Sequence, residues 1–137
     1  MTLFIDTSIF YAVADADDQG NARAKVILGD ADRALTTDHI LVEAWLLIRR
    51  RLGRHAADRF WSGVREGGIG LESVTLADLD IASSIGQVFP DQDFSIVDRT
   101  SFVVMQRLGI YRVASFDSDF AIYRFGPRRE RAFEVLR

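Results

Sequence analysis

Leu3-Phe4-Ile5-Asp6-Thr7-Ser8 ends an apolar run on an aspartate, and Val113-Ala114-Ser115-Phe116-Asp117-Ser118-Asp119 repeats that pattern far along the chain. A strand of apolar residues is buried, so its last residue marks where the chain leaves the core. In open α/β sheets that carboxyl edge is where ligands bind. If the two strands are parallel neighbours, about 4.8 Å apart, their terminal carboxylates share one crevice. Like charges that close resist ionisation, and a bound divalent cation is the simplest way to keep them ionised. The two segments together point to a parallel sheet with a metal site at its edge.

Working outward, strands and helices alternate. Residues 2–5 read as a buried strand, followed by a helix that Thr7 or Ser8 starts. A polar break at 15–20 precedes a helical piece over 21–28, closed by Gly29-Asp30. Residues 33–37 are a short strand. Asp38 then caps a helix to Leu52, with Leu41, Ala44, Trp45, Ile48 and Leu52 as its core stripe. Gly53 ends it, and 54–65 is another helix, stopped by Gly67-Gly68. A strand over 71–74 and a helix over 76–88, ended by Pro90, come next. The helix at 95–108 stops at Gly109, 111–115 is the fourth strand, and 132–136 forms a fifth at the sheet edge. This alternation implies an α/β fold, a parallel sheet covered on both faces, in a single domain spanning 1–137.

Composition narrows the class. With 48% hydrophobic residues and a mean hydropathy of +0.04, the chain has the profile of a soluble globular protein, and no apolar run has the length of a membrane span. With its first strand at Thr2 and no basic segment ahead of it, no cleavable signal and a cytoplasmic location are expected. The absence of cysteine excludes disulfides and thiolate metal sites. A net charge of −3 does not by itself suggest nucleic-acid binding. Lys25 is nevertheless the only lysine among 17 basic residues. Arginine grips phosphate bidentately, although genomic base composition also favours it.

Each candidate acid has a structural reading beside the chemical one. Asp6 before Thr7-Ser8 is a helix cap or a ligand at the end of a buried strand. Glu43 lies between Ile40 and Leu47 on an apolar flank, with only His39 as a local counter-charge. It needs a partner elsewhere, an arginine or a metal. Asp98, at the third position after a Ser95 cap, opposes the helix dipole and also points a first-turn carboxylate at the sheet edge. Asp117 and Asp119 form either a turn or a ligand pair. Asp38, Asp91 and Asp93 are ordinary capping or turn residues.

Taken in order, these segments resemble the PIN-domain ribonucleases, in particular the VapC-type toxins of bacterial toxin–antitoxin pairs. The resemblance spans Ile5-Asp6-Thr7-Ser8, Asp38-His39-Ile40-Leu41-Val42-Glu43, the run from Asp91 to Phe102, and Ala114 to Phe120. It implies a three-layer fold with a four- to five-stranded parallel sheet flanked by helices. It implies Asp6, Glu43, Asp98 and Asp117 as the metal-binding catalytic quartet, Asp119 as an auxiliary acid and Ser8 as a polar neighbour of Asp6. Asp117, Asp119 or both supply the last ligand. Ser115 stands where the family often has threonine. RNA cleaved to 5′-phosphate and 3′-hydroxyl ends, a small antitoxin partner and a homodimer are also implied.

The chemistry agrees. Carboxylate oxygens without thiolates select hard cations such as Mg²⁺ or Mn²⁺, which activate water and polarise the scissile phosphate. No histidine base is needed, so His39 and His55 read as surface or packing residues. Arg49-Arg50-Arg51 with Arg54, the group Arg128, Arg129 and Arg131, and Arg99 beside Asp98 are candidate phosphate grips. Trp45, Phe60, Trp61 and Leu46-Leu47-Ile48 give their helices surplus apolar surface, suited to a partner or to the core. A phosphorelay receiver needs a late lysine, which this chain lacks, and haloacid-dehalogenase phosphatases end their first strand D-x-D, unlike Asp6-Thr7-Ser8. A housekeeping RNA-processing nuclease and a non-catalytic PIN-like module remain as alternatives.

Overall fold

In a computed structural model describing residues 1–137, five parallel strands form one sheet in the order β3-β2-β1-β4-β5. These are β1 (Thr2–Ile5), β2 (Arg33–Thr37), β3 (Ile69–Glu72), β4 (Arg112–Ala114) and β5 (Glu134–Leu136). The helices between them are α1 (Thr7–Ala14), α2 (Asn21–Asp30), α3 (Asp38–Leu52), α4 (Arg54–Glu66), α5 (Leu76–Val88), α6 (Ile96–Leu108) and the short α7 (Asp119–Ile122). The chain steps from β1 outward to β3, then returns past β1 to place β4 on its other side. With right-handed crossovers, that reversal puts α1–α4 on one face and α5–α6 on the other. Helix α1 packs on α2 and α3, α3 on α4, and α5 on α6.

The point of reversal lies between β1 and β4, which pair with Phe4 opposite Val113 and Ile5 opposite Ala114. Such switch points open a crevice at the carboxyl edge, and it is there that the chain leaves for Asp6 and Asp117. Beneath them the core is continuous. Phe4, Ile5, Ile9, Ile40, Phe102, Val113 and Phe120 are all fully buried. The ring of Tyr123 stacks on Phe102 at 4.2 Å, and Phe94 and Phe120 meet Phe102 edge-on. This aromatic cluster fixes α6 against the segment following Asp119.

Several boundaries differ from the sequence reading. The cap of α3 is Thr37, whose hydroxyl accepts from the Ile40 amide, while Asp38 is the first helical residue. Asp38 instead accepts the Val74 amide at 3.0 Å, which pulls Ser73 and Val74 out of the sheet. Strand β3 consequently runs over Ile69–Glu72, two residues earlier than the apolar pattern suggests, with Gly70 against the Ala34 carbonyl. Helix α2 continues through Gly29 to Asp30. One glycine costs only about 1 kcal/mol, and burial of Ala24 and Ile27 holds the helix. The edge strand begins at Glu134 because Arg131 pairs back onto Phe125, closing a tight loop in which Arg129 and Gly126 take positive φ. Helix α7 is too short to leave a periodic signal. In α3, Ile40, Leu41, Ala44 and Ile48 form the buried stripe, whereas Trp45 lies at its margin and Leu52 is exposed.

Candidate active site

Asp6 caps α1 and closes β1. Its amide donates to the Ala114 carbonyl at 3.1 Å, continuing the β1–β4 ladder beyond the strands. The Asp6 carboxylate accepts from the Ser8 hydroxyl and the Ser115 hydroxyl, each at 2.8 Å, and weakly from the Ser8 amide. Ser8 also accepts the Phe116 amide, and Ser115 accepts the Asp117 amide. The two serines thus tie the turn after β4 to the first turn of α1. The capping reading of Asp6 holds, and the same carboxylate lines the crevice at the strand end.

The other acids converge on the same opening. Glu43, on α3, accepts the Thr7 hydroxyl at 2.5 Å, so its partner is a hydroxyl and not an arginine. Asp98 occupies the third position of α6, its amide held by Ser95 as the capping pattern predicts. Asp117 accepts the Asp119 amide at 2.9 Å. Carboxylate oxygens of Asp98, Asp117 and Asp119 lie within 4.8 Å of one another. Asp6, Thr7, Ser8, Glu43, Leu47, Asp93, Ser95, Asp98, Asp117 and Asp119 line one open crevice of about 350 Å³.

No arginine or lysine lines this crevice, and none of the ion pairs of the molecule involves its acids. Arg99, adjacent to Asp98 in sequence, turns away to donate to the Phe94 carbonyl and pack against Gly86. The electrostatic consequence is large. Burial raises the pKa of Asp6 despite its hydroxyl donors. Burial, with Asp6 and Asp117 nearby, raises that of Glu43. Burial pushes Asp98 up to about 8, reinforced by a hydrogen bond with Asp119 and by repulsion from Asp6, Asp117 and Asp119. A site with this donor set and no internal cation fits a hard divalent ion.

All five acids singled out in the sequence meet here. Four lining residues were not: Thr7, read only as a helix start, Leu47, read as an apolar neighbour of Glu43, Asp93, read as a turn residue, and Ser95, read as a helix cap. The Thr7 contact joins residues 36 positions apart, and nothing local signals it. The arginines divide differently. Arg131 lies over Tyr111 and Phe125, and Arg129 over Phe89, so two of that group of three are committed to aromatic faces. His55 is exposed and His39 half-buried, and neither lines the crevice. The most apolar groove is elsewhere, about 340 Å³ between α1, α2, α4 and β3, lined by Phe10, Val13, Leu28, Phe60 and Val64 among others. Phe60 is half-buried there, Ile48 lies in the core, and Leu46 and Trp61 are exposed.

Comparison with known proteins gives this arrangement its class. The sequence model of the PIN domain matches residues 3–126. The 23S rRNA-specific endonuclease VapC20 of Mycobacterium tuberculosis strain H37Rv is 34% identical over 125 residues, covering 90% of this chain and 95% of that protein. The crystal structure of M. tuberculosis VapC20, a sarcin–ricin loop cleaving toxin, superposes with a TM-score of 0.82 at 31% identity, over 88% of this chain and 93% of that one. A toxin–antitoxin complex from Klebsiella pneumoniae shares the fold, with a TM-score of 0.65 at 12% identity over 98% and 96% of the two chains. The chain belongs to the PIN domain family.

Proposed function

We propose that this protein is an endoribonuclease of the toxin type, whose acids Asp6, Glu43, Asp98, Asp117 and Asp119 hold Mg²⁺ or Mn²⁺. The observation that carries this reading is the crowding of six carboxylates, these five and Asp93, without an arginine or lysine, at the switch point of a parallel sheet. Resident hard cations would supply water activation and neutralise charge developing on the scissile phosphate. The chain's own residues prepare that chemistry. Ser8 and Ser115 fix the direction of Asp6, Thr7 fixes Glu43, and the Asp117–Asp119 turn sets two carboxylates side by side. Asp98 keeps its proton at neutral pH in the metal-free protein and must release it to act as a ligand. The rigid α6 start and the strand-end turn keep these groups in place without substrate.

Similarity to VapC20 makes 23S rRNA, with its sarcin–ricin loop, the first substrate to test. Purified protein incubated with 23S rRNA should give discrete cuts with Mg²⁺ or Mn²⁺, mapped by primer extension, and none in EDTA or with Asp98→Asn. Cleavage that persists in EDTA, or no cleavage with either ion, would contradict the assignment. A small antitoxin and a homodimer belong to the same proposal, as does a cytoplasmic location where ribosomal RNA is reached. No helix is long and apolar enough to cross a membrane. The apolar groove beside α4, with exposed Trp61 nearby, supports a helical protein partner. Co-expression with a small neighbouring reading frame should give a complex with suppressed cleavage.

A further inference from the structure

We infer that the arginines at the C-terminal end of α3, Arg50 with Arg49 and Arg54, bind the phosphate backbone of a single-stranded RNA as it leaves the acidic crevice. This rests on the nuclease reading and adds the path of the substrate. The crevice contributes six carboxylates and no arginine or lysine. Beyond the scissile phosphate that a resident metal ion would serve, an RNA strand must therefore find positive charge for its flanking phosphates outside it. Arg49, Arg50 and Arg54, with Leu46 and Gly53, line an open groove of about 630 Å³. Leu47 lines the crevice and Leu46 this groove, so the two adjoin on one helix.

The helix geometry sets the register. Arg50 follows Glu43 by seven residues, which places it about 10.5 Å further along the axis and within roughly 20° of the same face. Helical side chains lean toward the N-terminus, so Arg50 reaches back toward Leu47 and the acids. At about 3.4 Å of axial rise per phosphate in a stacked strand, that separation spans about three nucleotides.

Cations in a last turn also suit the helix dipole, but that does not account for these. Arg54 lies beyond Gly53, in the next helix. Arg51 is committed to the Tyr11 ring at 5.0 Å and Arg49 lies 6.0 Å from Trp45. Arg54 meets only the exposed Asp58, and Arg50 has neither an ion pair nor an aromatic partner. The groove offers one hydrophobic side chain, Leu46, whereas protein partners are anchored by buried aromatic or aliphatic groups. A backbone polyanion fits it better than an acidic protein.

The test is fluorescence anisotropy of a short labelled single-stranded RNA over a salt series in EDTA, where binding is read without cleavage. Each lost phosphate contact should make the slope of log K against log salt shallower by about 0.7. Arg50→Gln/Arg54→Gln should therefore lose about 1.4 of slope, while Arg50→Lys keeps it and Lys25→Gln, on α2, changes nothing. In the cleavage assay the double variant should raise KM by about tenfold or more, with kcat unchanged. An unchanged slope and KM in a cleaving enzyme would overturn the RNA path alone. If the same variant instead lost binding to a poly-glutamate peptide, an acidic protein would be the occupant. Wild-type protein that neither binds nor cleaves RNA would remove the nuclease reading itself.

Discussion

Burial, Asp119 and the neighbouring Asp6 and Asp117 push the Asp98 carboxyl up to about 8, whereas an aspartate in the unfolded chain titrates near 4. The folded protein therefore binds a proton that the unfolded chain releases. The stabilisation is fully present below the unfolded value and is lost as pH rises through about 8. Asp6 and Glu43 are raised in the same direction. Metal-free protein should accordingly melt at a higher temperature at pH 5 than at pH 8. Asp98→Asn should flatten that dependence, raise the metal-free melting temperature at pH 8 by about 3–6 °C, roughly 1 kcal/mol or more, and abolish cleavage. A fall in melting temperature would show that the carboxylate serves the N-terminus of α6 and not a ligand set. Thr7→Val tests the support of Glu43 and should lower cleavage by about 10–100-fold with little change in stability. Equal activity would mean Glu43 needs no orienting hydroxyl. Glu43 was legible because an acid on an apolar helix flank lacks a local partner. Asp6, Asp98, Asp117 and Asp119 each have an ordinary cap or turn reading and were legible only through their joint order at strand ends and helix starts and the family resemblance it carries. Thr7 and Asp93 were not, since a threonine at a helix start and an aspartate in a turn have sufficient local explanations.

Helix ends are joined by an ion cluster whose residues do not line the crevice. Arg107, near the end of α6, donates to both oxygens of Asp78 at 3.0 and 2.9 Å, to Glu72 at 3.1 Å and to the Ser73 carbonyl. Asp78 is buried, and also closes a capping box with Thr75 at the start of α5. One guanidinium thus fastens α6, α5 and the end of β3. Arg107→Ala leaves Asp78 buried without its cation and should cost about 2–3 kcal/mol, read as a lower urea midpoint at unchanged slope. Cleavage per folded molecule should stay at the wild-type level. An unchanged midpoint would mean that water replaces the guanidinium. None of this was legible, because Arg107 and Asp78 lie 29 residues apart. What could be read were elements with their own punctuation. Gly53, at a φ of 93°, separates α3 from α4, Ser95 caps α6, and Gly109 closes it in the left-handed region. Where a distant group intervenes, as Asp38 does at Val74, the local pattern misplaces the boundary.

The whole molecule brings residues 6 and 117 together by reversing direction between β3 and β4. Alternating strands and helices announce a parallel sheet, but not its strand order, which depends on how four crossovers pack. The one pairing that could be inferred was β1 with β4, because both end in carboxylates. From this follows a stability that depends on the ion. Mg²⁺ at about a hundred times its dissociation constant should stabilise the fold by about 2.7 kcal/mol, and that shift should vanish in Asp98→Asn. The central claim is that the strand-end acids form one cation site, in which Asp98 is neutral until the ion binds. It is tested most directly by titrating Mn²⁺ into the protein calorimetrically at pH 6.5, in buffers of different ionisation heat. Saturable binding accompanied by release of about one proton is the predicted result; the absence of binding, or binding with no proton released, would contradict it.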